Sequence, residues 1–430
     1  MTSPERLPRL AVVLDFGSAS PMSILASARA LAEIVFLCDR DLPHVRPLFD
    51  ELRTLAQVGD ITGLTDDEIL ALPECAGLAG IVTFSESQIR RTAALADRLG
   101  LTFLDVHTAA AVTDKYTQRR ILAESSVQHT ECRIVRDLAD LDPALDAVGL
   151  PAVLKPRHGA ASARTCTVRS RQEAAGRYRA FTDPAAGGAG IDFVVEQLLA
   201  GDSSVAGADW ADYVSVESMT SHGDIRHVEV TGKFPLAPPL RETGYVVPST
   251  LSEDRREEVL TLTGSALAAL GVRHGITHTE IKFTPDGPRI IEVNGRLGGY
   301  VADLVRRARG FDLVRAALTI ALGRPCPPPP PTAYRRHAFQ YFLTPPMDAV
   351  ALRRLDGLDE LGRATGIHLI EIFVEPGAAL DWRQGTLTYL GIVHGSASAH
   401  QEVRRLVDLV DRTLHIEYEN SSGSPETETA

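Results

Sequence analysis

The segment from Thr279 to Gly299 constrains the fold of this chain more than any other part of the sequence. Residues 279–283 and 289–294 form two runs in which apolar and polar side chains alternate, which is the pattern of a half-buried β-strand. Between them, residues 284–288 read Thr-Pro-Asp-Gly-Pro, a composition typical of turns. The segment is therefore predicted to be a β-hairpin.

The predicted hairpin brings carboxylates together. Pairing symmetric about Asp286 would put Glu280 opposite Glu292, with Asn294 on the same face. Like charges directly opposite each other destabilise a sheet, so this arrangement needs a cation between them. Two carboxylates and one amide oxygen are hard ligands but too few to enclose an ion, which suits Mg²⁺, or Mn²⁺ as the alternative, shared with substrate phosphates. The competing interpretation, a solvated hairpin, is disfavoured because Arg296 follows at once in a glycine-rich loop.

These residues resemble the metal-binding motif of the ATP-grasp ligases, in which Glu280, Glu292 and Asn294 would be the ligands. Arg296 belongs to the same motif, and it is expected to have a catalytic role in which it bears the charge of the tetrahedral intermediate. The preceding sequence is similar to the nucleotide-binding half of the same family. The resemblance assigns ATP binding there to Lys115, Lys155, Ser162, Glu196, Leu198 and Asp212.

The resemblance also gives these upstream residues separate tasks. Lys115 and Lys155 would contact phosphates, and residues 194–198 would be the strand that links two lobes and holds adenine through backbone groups and a Glu. Asp212 would bind the ribose, with Asp202 as the alternative.

The loop after Lys155 departs from the family pattern. It holds a single glycine, Gly159, where several usually give backbone amides free access to phosphate. Its arginines and Ser162 are expected to compensate through their side chains.

The N-terminal part of the chain has its own signature. Over residues 1–112, strands and helices alternate with short joints, which predicts a Rossmann-like domain with a parallel, doubly wound sheet. Residues 15–20 form its first loop and lack the GxGxxG pattern, which argues against a nicotinamide cofactor. The fold class expected for the whole chain is mixed α/β and α+β, with several domains and an ATP-grasp fold.

The remaining boundaries follow from the resemblance and from proline content. An ATP-grasp domain is expected over residues 113–326, with a nucleotide-binding lobe up to about residue 200 and a catalytic lobe after it. A proline run at 327–332 is interpreted as a linker to a small α+β domain at 333–419. The polar residues 420–430 are predicted to be disordered.

Composition excludes several classes of function. The chain has 430 residues and a formal net charge of −12, whereas a nucleic-acid-binding surface needs clustered Lys and Arg. The sequence contains no run of eighteen apolar residues, so no membrane span is predicted. The five cysteines show no zinc-site or disulfide spacing, which favours a cytoplasmic location. A homodimer is the default expectation for the quaternary structure.

The acceptor side of the site indicates a substrate class. Residues 232–249 resemble a segment of the carboxylate-amine ligases that include the L-amino acid (dipeptide) ligases, in which a residue like Glu242 lies near the substrate. Glu242 is the candidate to bind or deprotonate the attacking ammonium group. The resemblance places the following residues around the substrate pocket: Tyr245, Gly298, Gly299 and Tyr300.

The sequence therefore predicts an ATP- and Mg²⁺-dependent ligase that joins an amino acid carboxylate, activated as an acyl phosphate, to the amine of a second amino acid or small molecule. One alternative is an ATP-grasp ligase or carboxylase of the purine or biotin type, although no biotin-carrier segment is recognisable. A second is a non-catalytic ATP-binding regulator, which the glycine-poor loop suggests. Retention of Arg296 and all three metal ligands argues against the regulator.

Overall fold

The computed structural model describes residues 6–329, 333–421 and 427–429. At the N-terminus, four parallel strands form a sheet in the order β3-β2-β1-β4, with helices α1 to α4 packed against it. The strands are β1 (Arg9–Leu14), β2 (Glu33–Cys38), β3 (Gln57–Asp60) and β4 (Leu78–Val82), and the helices are α1 (Pro21–Ala28), α2 (Phe49–Leu55), α3 (Asp66–Leu70) and α4 (Ile89–Leu99). The predicted parallel sheet is confirmed.

The nucleotide-binding lobe contains a second, antiparallel sheet in the order β5-β8-β6-β7. Its elements are α5 (Val106–Thr113), α6 (Lys115–Glu124), β5 (Cys132–Val135), α7 (Leu138–Val148), β6 (Ala152–Pro156), β7 (Cys166–Val168), α8 (Arg171–Thr182) and β8 (Phe193–Gln197). The lobe has its own core, in which Phe181 stacks on Phe193 with ring centroids 6.0 Å apart.

The rest of the chain builds one large sheet of eight strands in the order β13-β12-β9-β10-β11-β14-β17-β16, together with a small sheet of β15, β18 and β19. The strands are β9 (Tyr213–Ser221), β10 (Asp224–Lys233), β11 (Gly244–Val247), β12 (Gly275–Thr284), β13 (Gly287–Asn294), β14 (His337–Phe342), β15 (Ala349–Asp356), β16 (Ile367–Ile372), β17 (Gly391–Ala397), β18 (His415–Asn420) and β19 (Thr427–Thr429). The helices are α9 (Glu253–Ala269), α10 (Val301–Arg309), α11 (Leu313–Ala321), α12 (Leu358–Leu361) and α13 (His400–Thr413).

The proline run does not separate two sheets, which differs from the boundary expected at residues 327–332. β14 pairs with β11, so that Gly244 lies opposite Tyr341 and Val247 opposite Ala338, and the C-terminal strands extend the catalytic-lobe sheet. Prolines interrupt local helix and strand structure but do not decide which sheet edge the next strand joins. Residues 330–332 of the expected linker lie outside the described residues.

The expected disordered tail also differs from the structure in part. Asn420 is the last residue of β18, where it pairs with Ala349, and Thr427–Thr429 pair with β18 as β19. Polar strands at an edge carry little apolar signal, so composition alone predicted disorder there. Residues 422–426 and Ala430 lie outside the described residues.

At the end of the hairpin that carries the two glutamates the strands pair as predicted, but the turn differs from the prediction. Glu280 pairs with Glu292, as predicted, whereas Thr284 pairs with Gly287, so the turn is tighter than the sequence suggested. A register shift between Glu280 and Ile281 reconciles the two ends. Such a bulge inserts one extra residue on one strand and restores the pairing beyond it.

Two glutamines cover the exposed edge of the hairpin. Gln118 donates to the carbonyl of Val293 at 2.9 Å and accepts from its amide at 2.8 Å, and Gln128 makes the same pair of bonds with Ile290 at 2.9 and 2.6 Å. Each side-chain amide thus replaces the backbone of a neighbouring strand, which satisfies an edge that would otherwise be unpaired. The strand that carries Glu292 is therefore held rigidly.

All five cysteines are buried and free, in keeping with the absence of disulfide spacing in the sequence. Of the helices in the described ranges, none combines the length and the apolarity that crossing a membrane requires.

Candidate functional site

A large cavity of about 1650 Å³ lies where the N-terminal domain, the nucleotide-binding lobe and the large sheet meet. It brings together most of the residues singled out from the sequence. Those that line it are Lys115, Lys155, Ser162, Glu196, Leu198, Glu242, Tyr245, Glu280, Glu292, Asn294, Arg296, Gly299 and Tyr300. Asp212 and Gly298 are not among the lining residues.

The three predicted metal ligands share one face of the hairpin at the cavity wall. Glu280 is opposite Glu292, and Asn294 is opposite His278. Lys115 Nζ lies 3.1 Å from Glu292 Oε1, and His278 Nε2 lies 3.5 Å from Glu280 Oε1. Burial raises the pKa of Glu280, but the hydrogen bond and charge of His278 outweigh it and lower the pKa to about 2. The Glu280 carboxylate is therefore kept charged by neighbouring cations.

The donor set fits a magnesium ion. In the described part of the chain, no group of three or more His, Cys, Asp or Glu residues is arranged as a metal cage. Glu280, Glu292 and Asn294 instead supply two carboxylates and one amide, which is the partial oxygen set that Mg²⁺ accepts when phosphates and water complete its shell.

His278 was not singled out from the sequence, although alternation puts it on the same face as Glu280. Its Nδ1 bonds to buried Glu217, whose other oxygen accepts from the amide of Gly298 at 3.2 Å. Burial lowers the pKa of His278, but the charge of Glu217 prevails and raises it to about 9. A Cβ on Gly298 would collide with the His278 ring, so Gly298 supports the site from behind.

Glu196 forms a buried charge cluster with two cations. Lys155 Nζ lies 2.5 Å from Glu196 Oε1, and Arg119 Nε lies 3.1 Å from Oε2. Burial raises the pKa of Glu196, but the charges of Arg119 and Lys155 outweigh it and lower the pKa to about 2. Arg119 lies on α6 one turn after Lys115 and carried no signal in the sequence, because its partner is distant along the chain.

Neither candidate for the ribose contact lines the cavity. Asp212 Oδ1 accepts a hydrogen bond of 2.6 Å from Lys282, and it is Lys282 that lines the cavity. Asp202 accepts from the amide and hydroxyl of Ser204, within its own turn. Asp212 is therefore connected to the cavity wall through its hydrogen bond with Lys282.

The acceptor end is organised around Glu242. Its Oε1 accepts from Lys233 Nζ at 3.1 Å and from the Tyr213 hydroxyl at 3.3 Å, and its Oε2 accepts from the Tyr245 hydroxyl. Lys233 has no exposed side chain and its ammonium lies 3.7 Å from the centroid of the Tyr245 ring. Glu242 is thus oriented by three donors, of which Lys233 and Tyr213 were missed in the sequence.

Arg296 joins the hairpin to the N-terminal domain. Its Nε lies 3.0 Å from Glu86 Oε2, and its Nη2 lies 3.5 Å from Asn294 Oδ1. Burial raises the pKa of Glu86, while Arg296 opposes this rise. Glu86 follows β4 of the N-terminal sheet, and its role depends on how the two sheets pack, which local sequence does not reveal.

The glycine-poor loop after Lys155 is held by the C-terminal region. The amide of Arg164 donates to the carbonyl of Arg383 at 2.7 Å, and the amide of Thr386 donates to the carbonyl of Ala161 at 2.8 Å. The hydroxyl of Thr386 accepts from the amide of Glu242 at 3.1 Å. Residues 383–386, the clamp segment, thus connect the loop to the acceptor end.

A substitution at Gly385 tests whether the clamp segment holds the loop. Its φ is 69°, and a Cβ there would collide with the backbone of residues 161–163. Gly385→Ala should therefore displace the loop and raise the KM for ATP by roughly 10- to 10²-fold in a steady-state assay. Gly377→Ala is the matched control, because Gly377 has a φ of 92° but no atom within 4 Å of its added Cβ. An equal KM in both variants would contradict the role of the clamp segment.

Comparison with known proteins identifies the domain type and the fold. Residues 148–303 match the model of the ATP-grasp domain. Alanine–anticapsin ligase of Bacillus subtilis (strain 168) is 26% identical over 269 residues, which is 59% of this chain and 56% of the relative, so the chain spans about half the length of that relative.

Two solved structures share the fold. The L-amino acid ligase of Bacillus licheniformis superposes with a TM-score of 0.76 at 22% identity, covering 97% of this chain and 100% of that one. The biotin carboxylase domain of Hydrogenobacter thermophilus 2-oxoglutarate carboxylase, solved with MgADP and bicarbonate, gives 0.67 at 14% identity, covering 99% and 92%. At these identities the likeness establishes the fold alone. Together with the domain match, it shows that residues 148–303 form an ATP-grasp domain and that the chain has the ATP-grasp fold.

Proposed function

We propose that this protein is an ATP-dependent carboxylate-amine ligase that forms an amide bond between an amino acid carboxylate and the amine of a second amino acid or small molecule, with release of ADP and phosphate. The observation that carries the proposal is that one cavity contains both the opposed pair Glu280–Glu292 and the Glu242 cluster. The first suits a metal–triphosphate complex and the second suits an amine. The relatedness to alanine–anticapsin ligase supports the same reaction class.

The nucleotide would lie between the two lobes. Lys115 and Lys155 would neutralise its phosphates, with Ser162 in the loop beside them, while Glu196 and Leu198 lie at the strand that links the lobes. Glu280, Glu292 and Asn294 would hold Mg²⁺, which when bound screens the charge of the phosphates. Lys282, oriented by Asp212, is a further cation on the nucleotide side.

The reaction would proceed in two balanced steps. A carboxylate oxygen of the first substrate attacks the γ-phosphorus of ATP, so the bond to the β,γ-bridging oxygen breaks and ADP leaves with the electron pair. The amine of the second substrate then attacks the acyl carbon, and phosphate departs as the C–N bond forms. Arg296, which Glu86 orients, would stabilise the negative charge that develops on the oxygen of the tetrahedral intermediate.

Glu242 would handle the ammonium group of the second substrate. An α-amine has a pKa of about 8, so at neutral pH it must lose a proton before it can attack. Tyr213, Tyr245 and Lys233 fix the Glu242 carboxylate at the cavity wall, where it would receive a hydrogen bond from the ammonium and accept its proton.

A matrix of amino acid pairs tests the proposal. With ATP and Mg²⁺, the protein should release ADP and phosphate only when a suitable pair is present, and mass spectrometry should find a product whose mass equals that of the pair less one water. Tight ATP binding without turnover for any pair would instead favour the regulator. Turnover that requires bicarbonate or a phosphorylated amine would favour the purine or biotin type.

A further inference from the structure

The cavity extends beyond the Glu242 cluster along one row of side chains that crosses the large sheet. Lys282 is paired with Tyr213, Lys233 with Tyr245, Tyr245 with Gln340, and Gln340 with His394. Residues paired across strands share a face, so this row forms a continuous floor from the nucleotide side to the C-terminal strands. Gln340, His394 and Glu371 line the far end, which the proposed reaction does not use.

An aromatic collar surrounds the passage to this far end. Phe342 lies with its ring centroid 5.1 Å from that of Tyr245 and 5.3 Å from that of Tyr389, and the hydroxyls of Tyr300 and Tyr389 are 2.6 Å apart. All four line the cavity. The collar therefore offers an apolar wall next to Glu242, and its contributions from β14 and Tyr389 come from the C-terminal part of the chain.

Behind the collar lies a buried acceptor that the protein does not satisfy. Gln340 has no exposed surface, and its Nε2 donates to the carbonyl of Tyr300 at 3.2 Å, which orients the amide. Its Oε1 has no hydrogen-bond partner among the described residues. An unsatisfied buried acceptor is costly and rare in folded proteins, so its presence in a cavity wall indicates that a ligand supplies the donor.

The groups around Gln340 also favour a ligand group that donates hydrogen bonds over an anion. The guanidinium of Arg307 is already bound to Asp303 and to the carbonyls of Gly395 and Phe339, so it is not available to an anion. His394 Nε2 lies 2.8 Å from Glu371 Oε2, and the Glu371 side chain is 39% exposed. A carboxylate accepts several hydrogen bonds, so Glu371 retains capacity beyond His394.

We propose that the far end of the cavity binds the side chain of one of the two amino acid substrates, and that this side chain has an apolar stem and a hydrogen-bond-donating tip, such as a phenol, an amide or an ammonium. The stem lies in the aromatic collar, and the tip donates to Gln340 Oε1 and Glu371. Gln340 and Glu371 are thus specificity-determining residues for the proposed ligase function, on which this inference rests.

Binding measurements without turnover test the inference separately from the reaction. Isothermal calorimetry with Mg²⁺ and a non-hydrolysable ATP analogue should compare L-tyrosine with L-phenylalanine and L-lysine with L-norleucine. In each pair the stem is shared and only the donor differs. We expect at least one donor-bearing amino acid to bind about tenfold or more tightly than its partner. Equal affinities in both pairs, or no binding by any of the four, would overturn the inference.

Two variants test whether the far end of the cavity causes this difference in affinity. The affinity ratio is the affinity for the donor-bearing amino acid divided by the affinity for its partner without the donor. Gln340→Leu should bring this ratio close to one, and Glu371→Gln should reduce the ratio of lysine to norleucine. A ratio is used because loss of the bond to Tyr300 would weaken both members of a pair alike. Gln401→Leu makes the same chemical change at an exposed position on α13, outside the cavity lining, and should preserve the ratio. An unchanged ratio in Gln340→Leu and Glu371→Gln would refute the assignment; the pair matrix described above decides the ligase function independently.

Discussion

Replacing Glu292 with alanine should lower the rate of ADP release by about 10²- to 10³-fold while leaving the fold intact. Glu292 is opposite Glu280 on the hairpin and lies 3.1 Å from Lys115, so its loss removes both a proposed metal ligand and the ion-pair partner of a lysine proposed to bind phosphate. The hairpin itself should survive, because Lys115 keeps its 2.8 Å hydrogen bond to the carbonyl of Gly159 and Gln118 still covers the strand edge. A coupled assay for ADP gives the rate, and thermal unfolding monitors the fold.

A matched control separates this effect from the general loss of a carboxylate. Glu258→Ala removes a glutamate that pairs with Arg255 on the exposed surface of α9, and it should leave turnover unchanged. If Glu292→Ala turned over within about threefold of the wild type, the metal site would have to lie elsewhere. Titration with Mg²⁺ adds a second measure, since the variant should need a higher concentration for half-maximal rate.

Replacing Glu196 with alanine should destabilise the protein by about 3–5 kcal/mol in chemical denaturation, because it leaves the buried cations Arg119 and Lys155 without their counter-charge. Removing one member of a buried ion pair costs far more than removing one member of an exposed pair. Glu124→Ala is the control, since Glu124 pairs with Arg120 on the surface and should cost no more than about 1 kcal/mol. Equal costs for the two variants would contradict the burial argument.

The same cluster predicts an acid transition. The pKa of Glu196 falls from its ordinary 4.5 to about 2 in the folded protein, so its charge stabilises the fold fully above about pH 4.5. That contribution is lost as the pH falls from 4.5 towards 2, because the unfolded chain binds the proton first. Unfolding of Glu196→Gln should therefore depend less on pH in this range than unfolding of the wild type. Parallel pH profiles for the two proteins would show that Glu196 is not the group responsible.

Much of the site could be predicted because its parts are local in the chain. Strand alternation and turn residues were enough to place Glu280 opposite Glu292, even though the sequence missed the tight turn and the bulge that together preserve that opposition. The lysines of the nucleotide side were recognisable by resemblance for the same reason, since each lies at the end of a short, regular element.

Residues that act through distant partners could not be predicted in this way. Arg119 on α6 reaches Glu196 on β8, a distant part of the chain, and Lys233 reaches Glu242 only because β10 and β11 pair. Asp212 was expected to bind the ribose but accepts a hydrogen bond from Lys282 instead. Lys282 is seventy positions further along the chain and comes close through the pairing of β9 with β12. Nothing in the local pattern carries such information.

The sequence by itself determined the hairpin, the parallel N-terminal sheet and the chemistry of the proposed metal ligands, because period, turn composition and residue type are properties of short segments. Only the tertiary structure decided that the strands after the prolines join the large sheet, that residues 383–386 hold the loop after Lys155, and that Gln340 and His394 continue the floor of the cavity. The physical reason is that hydrogen bonds between antiparallel strands and close contacts of loop backbones depend on which edges meet in space. That meeting is set by the packing of the whole chain.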